Sequence, residues 1–177
     1  MIQNENMIRQ TLRDIAEKMC LAARTAPKGR GEDNLVIALL ESDDLPPIAE
    51  KMKIMGEQYG AEAFVRDAKS ILSSPVVVLL GTKIKSLGLK KCSMCGFPSC
   101  EEKNKHPDTP CVFNTGDLGI AIGSAVSVAM DHRVDNRVMY TIGQAVLDMG
   151  LLGSDVKIVY GIPLSATAKN PFFDRKP

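Results

Sequence analysis

The chain has no tryptophan, and aromatic residues of any kind make up only 5% of its 177 positions. A surface that stacks on nucleic-acid bases interleaves rings with basic charge, and this composition argues against one. An excess of one charge is also missing, since 22 Lys and Arg face 21 Asp and Glu for a net charge of +1. No global field draws such a chain to nucleic acid or to an anionic membrane, and neither is expected as a partner. No apolar run reaches the ~20 residues of a bilayer span. Met1 to Asn6 hold neither a basic stretch nor an apolar one, so no secretory signal is visible and the expected location is the cytoplasm. With two histidines and no Ser-His-Asp or paired-carboxylate pattern, nothing supports a hydrolase. Internal repeats and low-complexity segments are absent as well.

What the chain does have is a cluster of cysteines. Four of its five fall in one stretch as Cys92, Cys95, Cys100 and Cys111, in the pattern C-x2-C-x4-C-x10-C. In a reducing compartment, clustered thiols are read as metal ligands before they are read as disulfides. Thiolates are soft donors that select zinc, copper or iron–sulfur centres. The turn between Cys92 and Cys95 brings two sulfurs to one centre. Gly96 allows close backbone approach, and Pro98 and Pro110 stiffen the chain beside two ligands. Structural zinc sites of four cysteines usually pair them as two short C-x2-4-C units. Here only the first pair has that form, which is closer to patterns that bind a [4Fe–4S] cluster. Zinc stays as the alternative. Lys83, Lys85, Lys90, Lys91, Lys103 and Lys105 surround the motif, where they can offset a net negative site, solvate the loop or dock an acidic electron-transfer protein. His106 falls between the third and fourth cysteines, as a substitute ligand or a solvated loop residue. Cys20 sits near an apolar helix stripe and reads as core packing.

Around this cluster the pattern is that of an α+β domain. Ile8, Leu12, Ile15 and Met19 recur at helical spacing over residues 7–24, and Pro27, Gly29 and Gly31 end that helix. The apolar runs 35–40 and 76–80 read as buried strands, and 156–160 as a last strand before a polar tail. Pro46-Pro47 opens a helix to about Gln58, and another runs from Ala61 to Leu72. Asp117 reads as the N-cap of a helix over 118–131, and a further helix spans about 136–149 to a stop at Gly150. Residues 82–116 lack hydrophobic periodicity and read as an irregular insert built around the cysteines. The small residues Gly119, Gly123, Ser127 and Ala121, Ala125, Ala129 line adjacent faces of the 118–131 helix. They permit close helix approach within the core or across a dimer.

Several stretches together resemble a family of small prokaryotic ferredoxin-domain-containing proteins of unknown function. They are Ala22 to Gly29, the Cys92 to Cys111 motif with Val112-Phe113, Asp117 to Ala121, and Tyr160 to Asn170. The two ends are also similar to the nitroreductase-like flavoproteins, at Ala22 to Pro27, Asp117 to Ala121 and Gly161 to Pro163. That resemblance implies one nitroreductase-like domain over 1–177, an α/β/α sandwich carrying the four-cysteine iron–sulfur loop at 82–116. It also implies a homodimer with FMN at its interface. The family's opening Arg-Arg-Ser-x-Arg segment, which helps hold the flavin phosphate, is missing here. The groups suited to replace it are Arg24, Thr25, Lys28 and Arg30 in the first turn and Lys169 and Arg175 in the tail. A solvated basic loop is the plainer reading of the first four.

Two functions follow as expectations. One is a redox protein with a [4Fe–4S] cluster, with or without FMN, acting in electron transfer or as an oxidoreductase on a substrate the residues do not name. The other is a non-catalytic binding module clamped by a four-cysteine zinc site.

Overall fold

Strand β2 (Val76–Lys83) is buried from Val76 through Thr82. Successive side chains of a strand point to opposite faces. Val76, Val78 and Leu80 enter one apolar cluster, while Val77 and Leu79 enter another. A strand buried on both faces needs a packing layer on each side. The computed structural model, which describes residues 4–173, has both layers.

The sheet is antiparallel throughout, in the order β1-β2-β4-β3. β1 (Leu35–Glu41) pairs with β2 from Leu35 opposite Thr82 to Glu41 opposite Val76. β4 (Val156–Ser165) pairs along the other edge of β2, from Val76 opposite Leu164 to Lys83 opposite Val156, with a register shift after Thr82. β3 (Asp135–Asn136) closes the far edge against Ser165 and Leu164. The three expected strands share one sheet.

Helices α1 (Asn4–Thr25) and α5 (Val112–Asp131) cover one face. Leu12, Ile15 and Met19 of α1 meet Leu118, Ala121, Ala125 and Ala129 of α5 there. The alanines recur every fourth residue, so they form one narrow stripe that lets the two helices approach closely. Ser124 Oγ also donates to the Ala22 carbonyl at 3.0 Å. Helices α2 (Leu45–Tyr59), α3 (Glu62–Leu72) and α6 (Tyr140–Asp148) cover the other face, with Ile48, Met52, Ile71, Ile142 and Val146 in its core. Asp67 is buried between α3 and α6. Its carboxylate accepts from Thr141 Oγ1 at 2.8 Å and from Arg66 Nε at 2.9 Å.

Three boundaries differ from the sequence reading. α5 begins at Val112, capped by Cys111, and Asp117 lies inside it as a buried residue. α6 begins at Tyr140, because 135–136 joins the sheet edge instead. β4 runs on to Ser165, so part of the expected polar tail is buried strand. α5 is also long and apolar enough, by length and composition, to cross a membrane. Its composition follows from the small residues of its core stripe, which pack here against α1 and β2.

Gly143 fixes how closely α6 lies on β4. A Cβ there would stand 1.7 Å from the Val159 carbonyl oxygen. Rigid backbone cannot move aside as a flexible side-chain end can. Gly143→Ala should therefore lower stability by roughly 1–3 kcal/mol or more, the usual cost of overpacking. Gly123→Ala adds its methyl where nothing stands within 4 Å. It should raise stability by about 0.5–1 kcal/mol through helix propensity. Urea unfolding followed by circular dichroism separates the two, and a Gly143→Ala midpoint equal to the wild type would contradict this packing.

Candidate metal centre

Between β2 and α5 the chain leaves the sheet, crosses irregular backbone and one short helix, α4 (Cys100–Asn104), and returns at Cys111. Cys92, Cys95, Cys100 and Cys111 all line one pocket, walled also by Leu87, Leu89, Phe97, Val112 and Phe113. The sequence-predicted ligand set is thus brought to one place. All five cysteines are free thiols, with Cys111 buried and the other four partly so. Among the described residues, no group of three His, Cys, Asp or Glu side chains is drawn close enough to hold a single ion. Four thiols on an apolar pocket are a donor set that an iron–sulfur cluster or a zinc ion can use.

Local geometry explains how the loop reaches this shape. Ser93 and Gly96 take positive φ of 57° and 88°. The Gly96 N–H closes a turn on the Ser93 carbonyl at 3.1 Å, which doubles the chain back between Cys92 and Cys95. Ser93 Oγ then ties the turn to the Pro98 carbonyl at 3.1 Å. Ser99 caps α4 by accepting from the Glu102 N–H at 3.1 Å. Cys111 is the N-cap of the 20-residue α5.

Buried polar side chains hold this unit to the core, and sequence reasoning missed them. Asn114, 1% exposed, accepts the Lys85 N–H and donates to the Lys85 carbonyl, each at 3.1 Å, and its Oδ1 also accepts the Cys111 N–H at 3.2 Å. Its place three residues after a helix cap was the available signal, a capping-box spacing with Cys in the place of Ser or Thr. Asp117 accepts the Gly29 N–H on both carboxylate oxygens at 3.1 Å. A Cβ at Gly29 would meet Leu87 Cδ1 at 2.6 Å and Phe113 Cδ1 at 2.9 Å, so those side chains would have to shift to admit one.

The six surrounding lysines are not equivalent. Lys83 pairs with Asp155 at 2.6 Å, Lys85 with Glu32 at 3.4 Å and Lys105 with Glu102 at 2.7 Å. Lys90 and Lys91 are exposed. Lys103 is buried and lines the cysteine pocket. His106 stacks on the Phe97 ring with centroids 5.0 Å apart and is not part of the pocket wall. Cys20 lies apart, against the α1–α5 core. Burial, with the nearby Glu17 carboxylate, pushes its thiol up to about 11, so it stays protonated at neutral pH.

The basic groups of the first turn all have internal partners. Arg24 pairs with Asp33 and also donates to the Leu35 carbonyl at 3.3 Å. Burial raises the Asp33 carboxyl, but the Arg24 hydrogen bond, the Leu35 N–H and the charges of Arg24 and Lys28 outweigh it and hold the group below the usual range. Lys28 Nζ donates to the carbonyls of Ala23, Arg24 and Ala26 at 3.2, 2.6 and 2.9 Å, closing the C-terminus of α1. Thr25 Oγ1 donates to the Leu21 carbonyl at 3.1 Å, and Arg30 Nη1 to the Leu87 carbonyl at 3.0 Å. In the tail, the Lys169 carbonyl accepts from Thr167 Oγ1 at 2.6 Å, while Arg175 lies outside the described residues. Beside this turn runs an apolar groove lined by Pro27, Gly29, Met94, Val112, Phe113 and Ile120 among others, with Lys28 and Asp117 at its polar edge. It shares Val112 and Phe113 with the cysteine pocket.

Comparison with known proteins agrees with the sheet, and the family match takes in Cys111 of the four clustered cysteines. Residues 107–175 match the family model described as "uncharacterized protein containing a ferredoxin domain". An uncharacterized protein of Archaeoglobus fulgidus is 42% identical over 167 residues, covering 90% of this chain and 89% of its own. Among solved structures, the nitroreductase CinD from Lactococcus lactis, in complex with nicotinic acid, superposes with a TM-score of 0.63 at 12% identity, over 95% of this chain and 81% of that one. A Bacteroides fragilis nitroreductase with bound FMN gives 0.61 at 11% identity, over 93% and 82%. A BluB-like flavoprotein from Clostridium difficile gives 0.56 at 18%, over 93% and 85%. The sandwich is therefore of the nitroreductase-like type, and the chain belongs to the family of uncharacterized proteins containing a ferredoxin domain.

Proposed function

We propose that this chain is a redox protein in which Cys92, Cys95, Cys100 and Cys111 hold a [4Fe–4S] cluster on a nitroreductase-like scaffold. In this reading, the part of 82–116 that lies between β2 and α5 is a metal-binding insert in one domain spanning 1–177. The observation that carries it is the convergence of all four cysteines on one apolar pocket. The ferredoxin-domain family and the flavoprotein-type fold support it. The cluster supplies one-electron transfer. The protein's part is to position it and set its surroundings. Cys111 is held by the α5 N-terminus and Asn114, and Cys100 by α4. Leu87, Leu89 and Phe97 supply apolar walls around the thiols.

Replacing Cys92, Cys95, Cys100 or Cys111 by Ser should lower bound iron and sulfide, since a hydroxyl is a harder and poorer ligand. Cys20→Ser should keep both. Metal and sulfide analysis with an absorbance spectrum, on protein purified without oxygen, reads the result. Brown protein with iron and labile sulfide supports the cluster. Colourless protein with zinc favours the metal-clamped binding module instead.

FMN is the second redox group of the proposal, and it would convert two-electron donation into single-electron steps. Its phosphate falls to Arg24, Thr25, Lys28 and Arg30, with Lys169 and Arg175 from the tail. A phosphate there competes with Asp33 for Arg24 and with the α1 carbonyls for Lys28. The homodimer of the proposal uses the outer face of α5, where Ile120 and Met130 are exposed. Charge-assisted hydrogen bonds contribute roughly 1.5–3 kcal/mol each. Arg24→Ala should therefore weaken FMN binding by about tenfold or more. A fluorescence titration of flavin decides this. Equal affinity removes Arg24 from the site, and no binding by the wild type at high micromolar FMN removes the flavin.

A further inference from the structure

Lys103 is 2% exposed, and its ammonium has neither a hydrogen bond nor an ion pair among the described residues. The other charged residues that are as deeply buried behave differently. Asp67 is 3% exposed and answered by Arg66 and Thr141. An isolated buried charge costs far more than a surface one, so buried lysines are found paired. A long lysine stem usually lets its ammonium reach water, and at 2% exposure the Lys103 ammonium keeps only a small part of that contact. The groups sharing its pocket are the four cysteines and apolar side chains, with the hydroxyls of Ser86, Ser93 and Ser99. No carboxylate lines it.

We infer that Lys103 is the buried counter-charge of the cysteine site, placed to stabilise the cluster and to raise its reduction potential. The inference rests on the cluster reading above. Four thiolates around a [4Fe–4S] core of charge +2 leave a site of net charge −2. Uptake of one electron makes it −3. A fixed positive charge within the same apolar pocket favours the more negative state, and low dielectric strengthens the effect. Lys85 and Lys105 cannot do the same, because each is exposed and answered by a glutamate. Lys103 reaches the pocket because α4 starts at Cys100, and residue 103 lies on the same helix face as residue 100, one turn on.

The test compares the wild type with Lys103→Met, Lys103→Arg and Lys105→Met, each purified without oxygen. Dithionite serves as the electron donor in a mediated redox titration read by absorbance and electron paramagnetic resonance. Lys103→Met should retain iron and sulfide but lie at least tenfold further toward the oxidised form at a fixed potential, which is a fall of about 59 mV for one electron. Lys103→Arg and Lys105→Met should stay near the wild type. Loss of iron from Lys103→Met with retention by Lys103→Arg also supports the counter-charge, since the two differ in charge. An unchanged potential in an iron-replete Lys103→Met protein overturns it, as does equal loss of iron from both Lys103 variants, which would mark a packing role. A wild type without iron and sulfide ends the cluster reading itself, and the inference with it.

Discussion

The first two turns of α5 carry the contacts on which the arrangement depends. Asn114 and Asp117 are both buried, and their partners are backbone groups of two other segments, at Lys85 and Gly29. A buried polar group left unpaired costs about 1–3 kcal/mol. The turn between α1 and β1 and the chain after β2 are therefore tied to one helix end. The same helix continues into the core as Leu118, Ala121, Ala125 and Ala129. Its cap is Cys111. The position of one thiol is thus set by the packing of a whole layer against the sheet.

The other three cysteines have no such support. Cys92 and Cys95 lie in turns without regular structure, and Cys100 opens a helix of only five residues. Their segment contributes little to either apolar cluster. A loop of this kind gains order from what it binds, because ligand binding that requires the folded loop adds its free energy to folding. In the proposed reading, the site has one wall fixed by α5 and one whose order depends more on the bound metal than the sandwich does.

Much of the sandwich was legible because its signals are local. The α1 stripe at Leu12, Ile15 and Met19 and the apolar runs of β1 and β2 are periodicities that need no partner to be seen. The grouping of the four cysteines was legible for the same reason, since spacing alone brings them together. The start of α5 was not. Asp117 stands before an apolar run and looks like a cap, but its carboxylate answers Gly29, a residue 88 positions away. A thiol at the true cap gave no signal of the Ser, Thr, Asp or Asn kind. Lys103 was one of six similar lysines in the sequence, and only the fold separates it from the five that reach solvent. Gly143 likewise looks like an ordinary helical glycine until Val159 is brought against it.

The apolar groove and the cysteine pocket meet at Val112 and Phe113, so they are two sides of one thin wall. The wall is the first turn of α5, the segment that Asn114 and Asp117 hold in place. In the proposed reading, a group seated in the groove has the Val112 and Phe113 wall between it and the cysteine pocket, an arrangement suited to passing an electron between two groups. In the proposed reading, the buried amide that anchors Cys111 also sets the separation between the cluster and whatever occupies the groove.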